Sequence, residues 1–179
     1  GELEGASYEE LLYEGYGPAG TAIMCEILTD NRNRTSGEIR KIFEVGGGNL
    51  GATNCVSWMF ERKGLFVVEA SHVTEDRLME VALGAGADDV TEAGAYFEVT
   101  CDPTAFDGLK QAFDEAKIAC DSAEISRIAG NKVDLDFDSA VRVLKLIATL
   151  EDHEDVQSVT SNYSLADDLI PKVQAALGE

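Results

Sequence analysis

Basic residues are scarce: 14 Lys and Arg stand against 34 Asp and Glu in 179 residues, a formal charge of −20. Contact with a phosphate backbone needs cations, so a surface basic all round is excluded. Only His72 and His153 supply imidazole, and no C-x-x-C occurs among Cys25, Cys55, Cys101 and Cys120. A structural zinc site therefore lacks its raw material, and no metal or cofactor is expected. The scattered cysteines read as buried free thiols of a reducing compartment. Long apolar runs are missing too. Leu65-Phe66-Val67-Val68 is far too short to cross a bilayer, and Gly1-Glu2-Leu3-Glu4 does not resemble a secretory signal, so a cytoplasmic protein with no membrane partner is expected.

What is present is globular: 45% apolar residues in a length that suits one domain or two small ones. The charge is unevenly spread. Residues 31–63 carry Arg32, Arg34, Arg40, Lys41, Arg62 and Lys63 against three acids, a net of +3 that leaves −23 elsewhere. Such asymmetry fits a local anion-binding face on an acidic body, or a merely solvated cluster.

Thr21–Thr29 has apolar residues on both faces and predicts a central strand. Thr35-Ser36-Gly37-Glu38 reads as a capping box opening a helix over 36–45, which Gly46-Gly47-Gly48 ends. Val56–Phe60 and Leu65–Glu69 read as a hairpin turning at Glu61-Arg62-Lys63-Gly64, with Trp58 and Phe60 on one core face. Helices follow from Thr74 to Leu83, from Asp102-Pro103 with a stripe of Phe106, Leu109, Phe113 and Ala116, and from Asp136 with a stripe of Val141, Leu144, Ile147 and Ala148. Strands are predicted near Val90 and over 95–101, 123–129 and 156–163, and a short helical pattern at 173–177.

The order spells βαββαβ, interrupted by αββαβ. The expected fold class is α+β: two small ferredoxin-like helix-on-sheet sandwiches, the second inserted into the first. The expected domains are a discontinuous 1–71 with 133–179 and an insert at 72–132.

Catalytic readings fail, because no carboxylate pair sits beside a histidine or a nucleophile turn, and a non-enzymatic protein is expected. Gly46-Gly47-Gly48-Asn49-Leu50-Gly51 follows a helix, which suits a helix stop better than a phosphate loop. Lys63-Gly64-Leu65-Phe66-Val67-Val68 echoes the RNA-recognition signature but lacks its stacking aromatics at Leu65 and Val67. The segment Asp30-Asn31-Arg32-Asn33-Arg34-Thr35 supports two readings: a capped, solvated corner, or a grip on phosphate or carboxylate beside a helix N-terminus, with Arg40 and Lys41 downstream. Arg32, Asn33, Arg34, Arg40, Lys41, Arg62 and Lys63 are the candidate nucleic-acid or anion contacts.

Tyr13-Glu14-Gly15-Tyr16-Gly17-Pro18, Leu28-Thr29-Asp30-Asn31-Arg32-Asn33-Arg34-Thr35, Gly47-Gly48-Asn49-Leu50-Gly51, Trp58-Met59-Phe60-Glu61-Arg62-Lys63-Gly64, Leu150-Glu151-Asp152 and Ser161-Asn162 together resemble the YebC/PmpR family over nearly the whole chain. The resemblance implies a regulator of gene expression. Members are described as DNA-binding transcriptional regulatory proteins, and relatives assist translation on ribosomes, including the mitochondrial translational activator of cytochrome c oxidase I. It implies DNA, ribosomal RNA or the ribosome as partner, and a mitochondrial location for an organellar member. Members usually carry a basic helical N-terminal domain ahead of the segment that begins here at Gly1, and that domain is expected to supply the principal basic surface. The competing class is a protein-interaction or small-ligand regulatory module with an acidic surface.

Overall fold

The computed structural model describes residues 7–178. Its elements are β1 (Glu9–Tyr16), β2 (Ala22–Thr29), α1 (Arg32–Val45), β3 (Asn49–Leu50), β4 (Phe60–Glu69), α2 (Glu75–Gly84), β5 (Asp89–Ala93), β6 (Tyr96–Cys101), α3 (Phe106–Glu115), β7 (Ser122–Ala129), β8 (Val133–Asp134), α4 (Phe137–Asp152), β9 (Val156–Ser161), β10 (Tyr163–Ser164) and α5 (Leu169–Ala176). They form two compact units, residues 1–60 with 129–179 and residues 61–128. Each is a helix-on-sheet sandwich of the expected α+β class.

The first unit is built on a sheet ordered β3-β1-β2-β9. β1 and β2 form an antiparallel hairpin from Glu9↔Thr29 to Tyr16↔Ala22, and β9 lies antiparallel on the other side of β2. The central strand at 21–29 is therefore as expected. Ile23, Cys25 and Ile27 face a core with Ile39 and Phe43 of α1 and Leu146 and Leu150 of α4. Ala22 and Met24 point to the opposite face, which Val56 and Phe60 cover. Burial on both faces stabilises such a strand by about 2 kcal/mol for each large side chain. At its start the Asn162 side-chain oxygen accepts from Ala22 N at 2.8 Å, supplying a partner where the ladder ends. β1 escapes the sequence pattern because Glu9-Glu10-Leu11-Leu12 does not alternate.

The stripe expected on α4 is out of phase. Ala140, Val143, Leu146 and Leu150 are its buried residues, whereas Val141, Leu144 and Ile147 are half-buried around α5, which seats Val173. A helix packed on two sides carries two apolar faces, so one stripe cannot describe it.

The second unit has a sheet ordered β5-β6-β4-β7. Phe66, Val68, Phe97 and Val99 pack under Leu78 and Ala82 of α2 and Leu109 and Phe113 of α3. Phe66 stacks on Phe106 with ring centroids 4.9 Å apart and meets Phe113 edge-on at 5.2 Å. Thr74 caps α2, its side chain accepting from Arg77 N at 3.3 Å.

The expected hairpin at 56–69 is absent. Phe60–Glu69 is one continuous strand paired with β6 from Gly64↔Cys101 to Glu69↔Tyr96, and residues 57–59 form a single 3-10 turn. Gly64 serves space rather than a turn: a Cβ there would lie 2.6 Å from Cys101 Sγ and 2.9 Å from the Phe106 ring. The shared core face of Trp58 and Phe60 fails with the hairpin, since Phe60 is 8% exposed and Trp58 72%. Among the described residues no helix is long and apolar enough to cross a membrane.

Candidate nucleic-acid interface

α1 begins earlier than its sequence suggests. Asn31, not Thr35, is the cap: its side-chain oxygen accepts from Arg34 N at 3.1 Å, and the helix starts at Arg32. The expected capping box is thereby corrected. Thr35 lies in the first turn, fully buried, and its hydroxyl donates to Asp155 Oδ2 at 2.7 Å while meeting the Thr29 hydroxyl at 2.7 Å. Burial pushes the Asp155 carboxyl up, but the hydrogen bonds from Thr35 and Arg34 and the guanidinium charge outweigh it and hold the group below its ordinary value.

Arg34 is consequently committed. Its Nη2 lies 2.9 Å from Asp155 and 3.3 Å from Asp30, and its Nε 3.8 Å from Glu38. Arg32 pairs with Glu9 at 3.3 Å. Both arginines remain partly exposed, and Asn33 is exposed beside them. The corner joins β2, α1 and the start of β9, with its positive charge largely matched by nearby carboxylates. Lys63 of the second unit behaves similarly, donating to Asp88 Oδ2 at 3.0 Å, while Arg62 next to it is exposed.

Arg40 and Lys41, farther along α1, are exposed and enter no ion pair among the described residues. α4 brings two further cations close to Lys41 that the sequence reading missed. Lys41, Ile42, Val45, Gly46 and Gly47 line one side of a groove of about 460 Å³, with Arg142, Lys145, Leu146 and Thr149 opposite. Arg142 and Lys145 are one turn apart, which places them on one face of α4. That spacing was legible; the adjacency of α1 and α4 was not.

The groove depends on the glycines after α1. Gly48 N donates to Phe43 O at 2.8 Å and Gly47 N to Glu44 O at 3.2 Å, a Schellman stop with Gly47 at φ +85°. The helix-stop reading of Gly46-Gly47-Gly48 thus describes the loop. A Cβ on Gly46 would stand 2.7 Å from Leu146 Cδ1, and one on Gly47 2.7 Å from Arg142 Nη2. Their bareness lets α4 approach and leaves the guanidinium room at the negative end of α1.

Glu14 is a further element missed in sequence. It is 2% exposed, yet its carboxylate accepts from Asn54 N at 2.7 Å, Val56 N at 3.1 Å and Ser57 N at 2.6 Å. Burial raises its pKa, but these three donors overcome that and hold it below the ordinary value. No group of three or more His, Cys, Asp or Glu among the described residues is placed to hold a metal ion.

The family model described as "TACO1/YebC second and third domain" matches residues 8–163. A "Probable transcriptional regulatory protein" of Desulfatibacillum aliphaticivorans is 48% identical over 170 residues, covering 95% of this chain and 69% of that protein. One of the same name from Pelotomaculum thermopropionicum is 50% identical over 169 residues, covering 93% and 70%. The crystal structure of a conserved hypothetical protein from Aquifex aeolicus superposes with a TM-score of 0.77 at 40% identity, over 93% of this chain and 69% of that one. With more than half its length matched by that model and relatives near 50% identity, the chain belongs to the TACO1/YebC family.

Proposed function

We propose that this protein is a non-enzymatic regulator of gene expression that works in the cytoplasm and engages DNA or ribosomal RNA through the cationic side of α1. Its relatives' name, probable transcriptional regulatory protein, supports the regulatory role. The observation that carries the nucleic-acid contact is the pair Arg40 and Lys41, exposed and unpaired on a rigid helix of an otherwise acidic chain. Phosphate oxygens are the group such cations select. Arg32, Asn33, Arg34, Arg62 and Lys63 take an auxiliary part in this reading, since three of these four cations already face carboxylates.

Binding to duplex DNA and to ribosomal RNA, measured across a salt series, tests the proposal. Arg40→Ala with Lys41→Ala should lower affinity about 10-fold and flatten the plot of log affinity against log salt by about two. Unchanged affinity and slope would remove this surface from the account. Crosslinking in cells, followed by sequencing of the attached nucleic acid, separates promoter DNA from ribosome as the target.

A further inference from the structure

We infer that the groove between α1 and α4 is a binding site for a small amphiphilic anion: one carboxylate or phosphate head on a hydrocarbon body. Its volume, about 460 Å³, lies within the range of small-molecule sites. Its lining joins two chemistries. Lys41, Arg142 and Lys145 stand at the rim, and no Asp or Glu lines it. None of the three forms an ion pair or side-chain hydrogen bond among the described residues, although the chain holds 34 carboxylates. Three unneutralised cations around one opening make a focus of positive potential.

The interior is aliphatic. Ile42, Val45 and Leu146 supply it, and Val45 is left 80% exposed, a large apolar surface for a side chain with no partner. Thr149 is the one uncharged polar side chain of the lining, and its hydroxyl already donates to Lys145 O at 2.9 Å. A nucleobase or sugar would bring several donors and acceptors and find almost none to meet them, at a cost for each polar group left unpaired. An aliphatic chain loses nothing by entering. The lining thus selects a hydrocarbon with a charged end over a nucleotide or a sugar phosphate.

This site shares Lys41 with the nucleic-acid reading, but Arg40 does not line the groove, so a change at Arg40 alone separates the two. Decanoate and decyl phosphate, each below its micelle concentration, are the probes. Decanol and inorganic phosphate present each half of the ligand alone, and adenosine monophosphate the disfavoured class. Methyl-detected NMR titrations should show saturable shifts confined to Ile42, Val45 and Leu146, with both amphiphiles binding at least about 10-fold tighter than either half. The stronger of the two identifies the head group. Arg142→Glu with Lys145→Glu, both exposed, and separately Val45→Asp, should each weaken binding about 10-fold or more, while Arg40→Ala leaves it unchanged. Shifts spread over the whole chain, binding indifferent to those substitutions, or a preference for adenosine monophosphate would overturn the inference. A loss of nucleic-acid binding with amphiphile binding intact would leave this site standing and remove only the other reading.

Discussion

Arg34 and Asp155 lie 121 residues apart in sequence and meet at 2.9 Å, closing the corner where β2 passes into α1 against the start of β9. Thr35 and Thr29 complete the ring around the same carboxylate oxygen, at 2.7 and 3.3 Å. The corner is thus a joint between distant parts of the first unit before it is a surface.

Asp155→Ala should therefore destabilise the protein by about 1–3 kcal/mol, because it removes the charged acceptor shared by Thr35, Thr29 and Arg34 and leaves the buried Thr35 hydroxyl only neutral partners, the Asn31 carbonyl at 3.1 Å among them. Urea unfolding measures it. Arg34→Ala should cost less than Asp155→Ala, since the guanidinium stays partly in water; the reverse order would show that the arginine, not the threonine pair, anchors the joint.

The same commitment orders the nucleic-acid contacts. Arg32→Ala with Arg34→Ala should change affinity and its salt dependence less than Arg40→Ala with Lys41→Ala, because the first pair gives up carboxylate partners to reach phosphate. Filter binding at two salt concentrations distinguishes them, and an equal or larger effect at 32 and 34 would reverse the weighting.

Glu14 and Asp155 predict the response to acid. Both carboxyls sit below their ordinary values of 4.5 and 3.8 in the folded protein. A depressed folded pKa contributes stability that is present above the unfolded value and lost as pH falls through the folded one. Stability should hold down to about pH 5 and decline below pH 4. Glu14→Gln should flatten that decline, and Glu14→Ala should cost about 2–4 kcal/mol near neutrality by orphaning three backbone donors. An acid profile unaltered by Glu14→Gln would contradict the assignment.

Gly48→Ala tests the close approach after α1. A Cβ there would strike the carbonyl oxygen of Tyr16 and lie 3.1 Å from Gly17 Cα, both backbone atoms that no rotamer change relieves. A loss of about 2 kcal/mol or more is expected from thermal unfolding, whereas Gly37→Ala, inside α1 where the space is open, should instead stabilise by up to about 1 kcal/mol.

Much of the architecture was legible because its cues are local. Thr74 and Asp136 cap the helices they were expected to cap, and β2 announced its double burial through the apolar run Ala22-Ile23-Met24-Cys25 that precedes the exposed Glu26. The failures share a cause. The segment from Val56 to Glu69 has strand composition throughout, so Glu61-Arg62-Lys63-Gly64 looked like a turn. The strand runs straight through these residues instead, and pairing with β6 begins at Gly64, opposite Cys101, a partner about 35 residues away in sequence. The capping role of Thr35 went to Asn31 because Asp155 claimed the threonine hydroxyl, again a partner remote in sequence. At the candidate site, Arg40 and Lys41 could be named from charge alone, whereas Arg142 and Lys145 acquire meaning only when α4 lies along α1.

The Glu14 carboxylate substitutes for a neighbouring strand, and residues 54–57 owe their shape to it. Just beyond them stands Trp58, the sole tryptophan of the chain, its indole N–H donating to Cys55 O at 3.1 Å and its ring in water. Intrinsic fluorescence therefore observes this loop and not either core. Its emission should be red-shifted already in the native state and change little on global unfolding, so circular dichroism must follow the fold, while fluorescence quenching becomes a selective gauge of whether Glu14 still grips the loop.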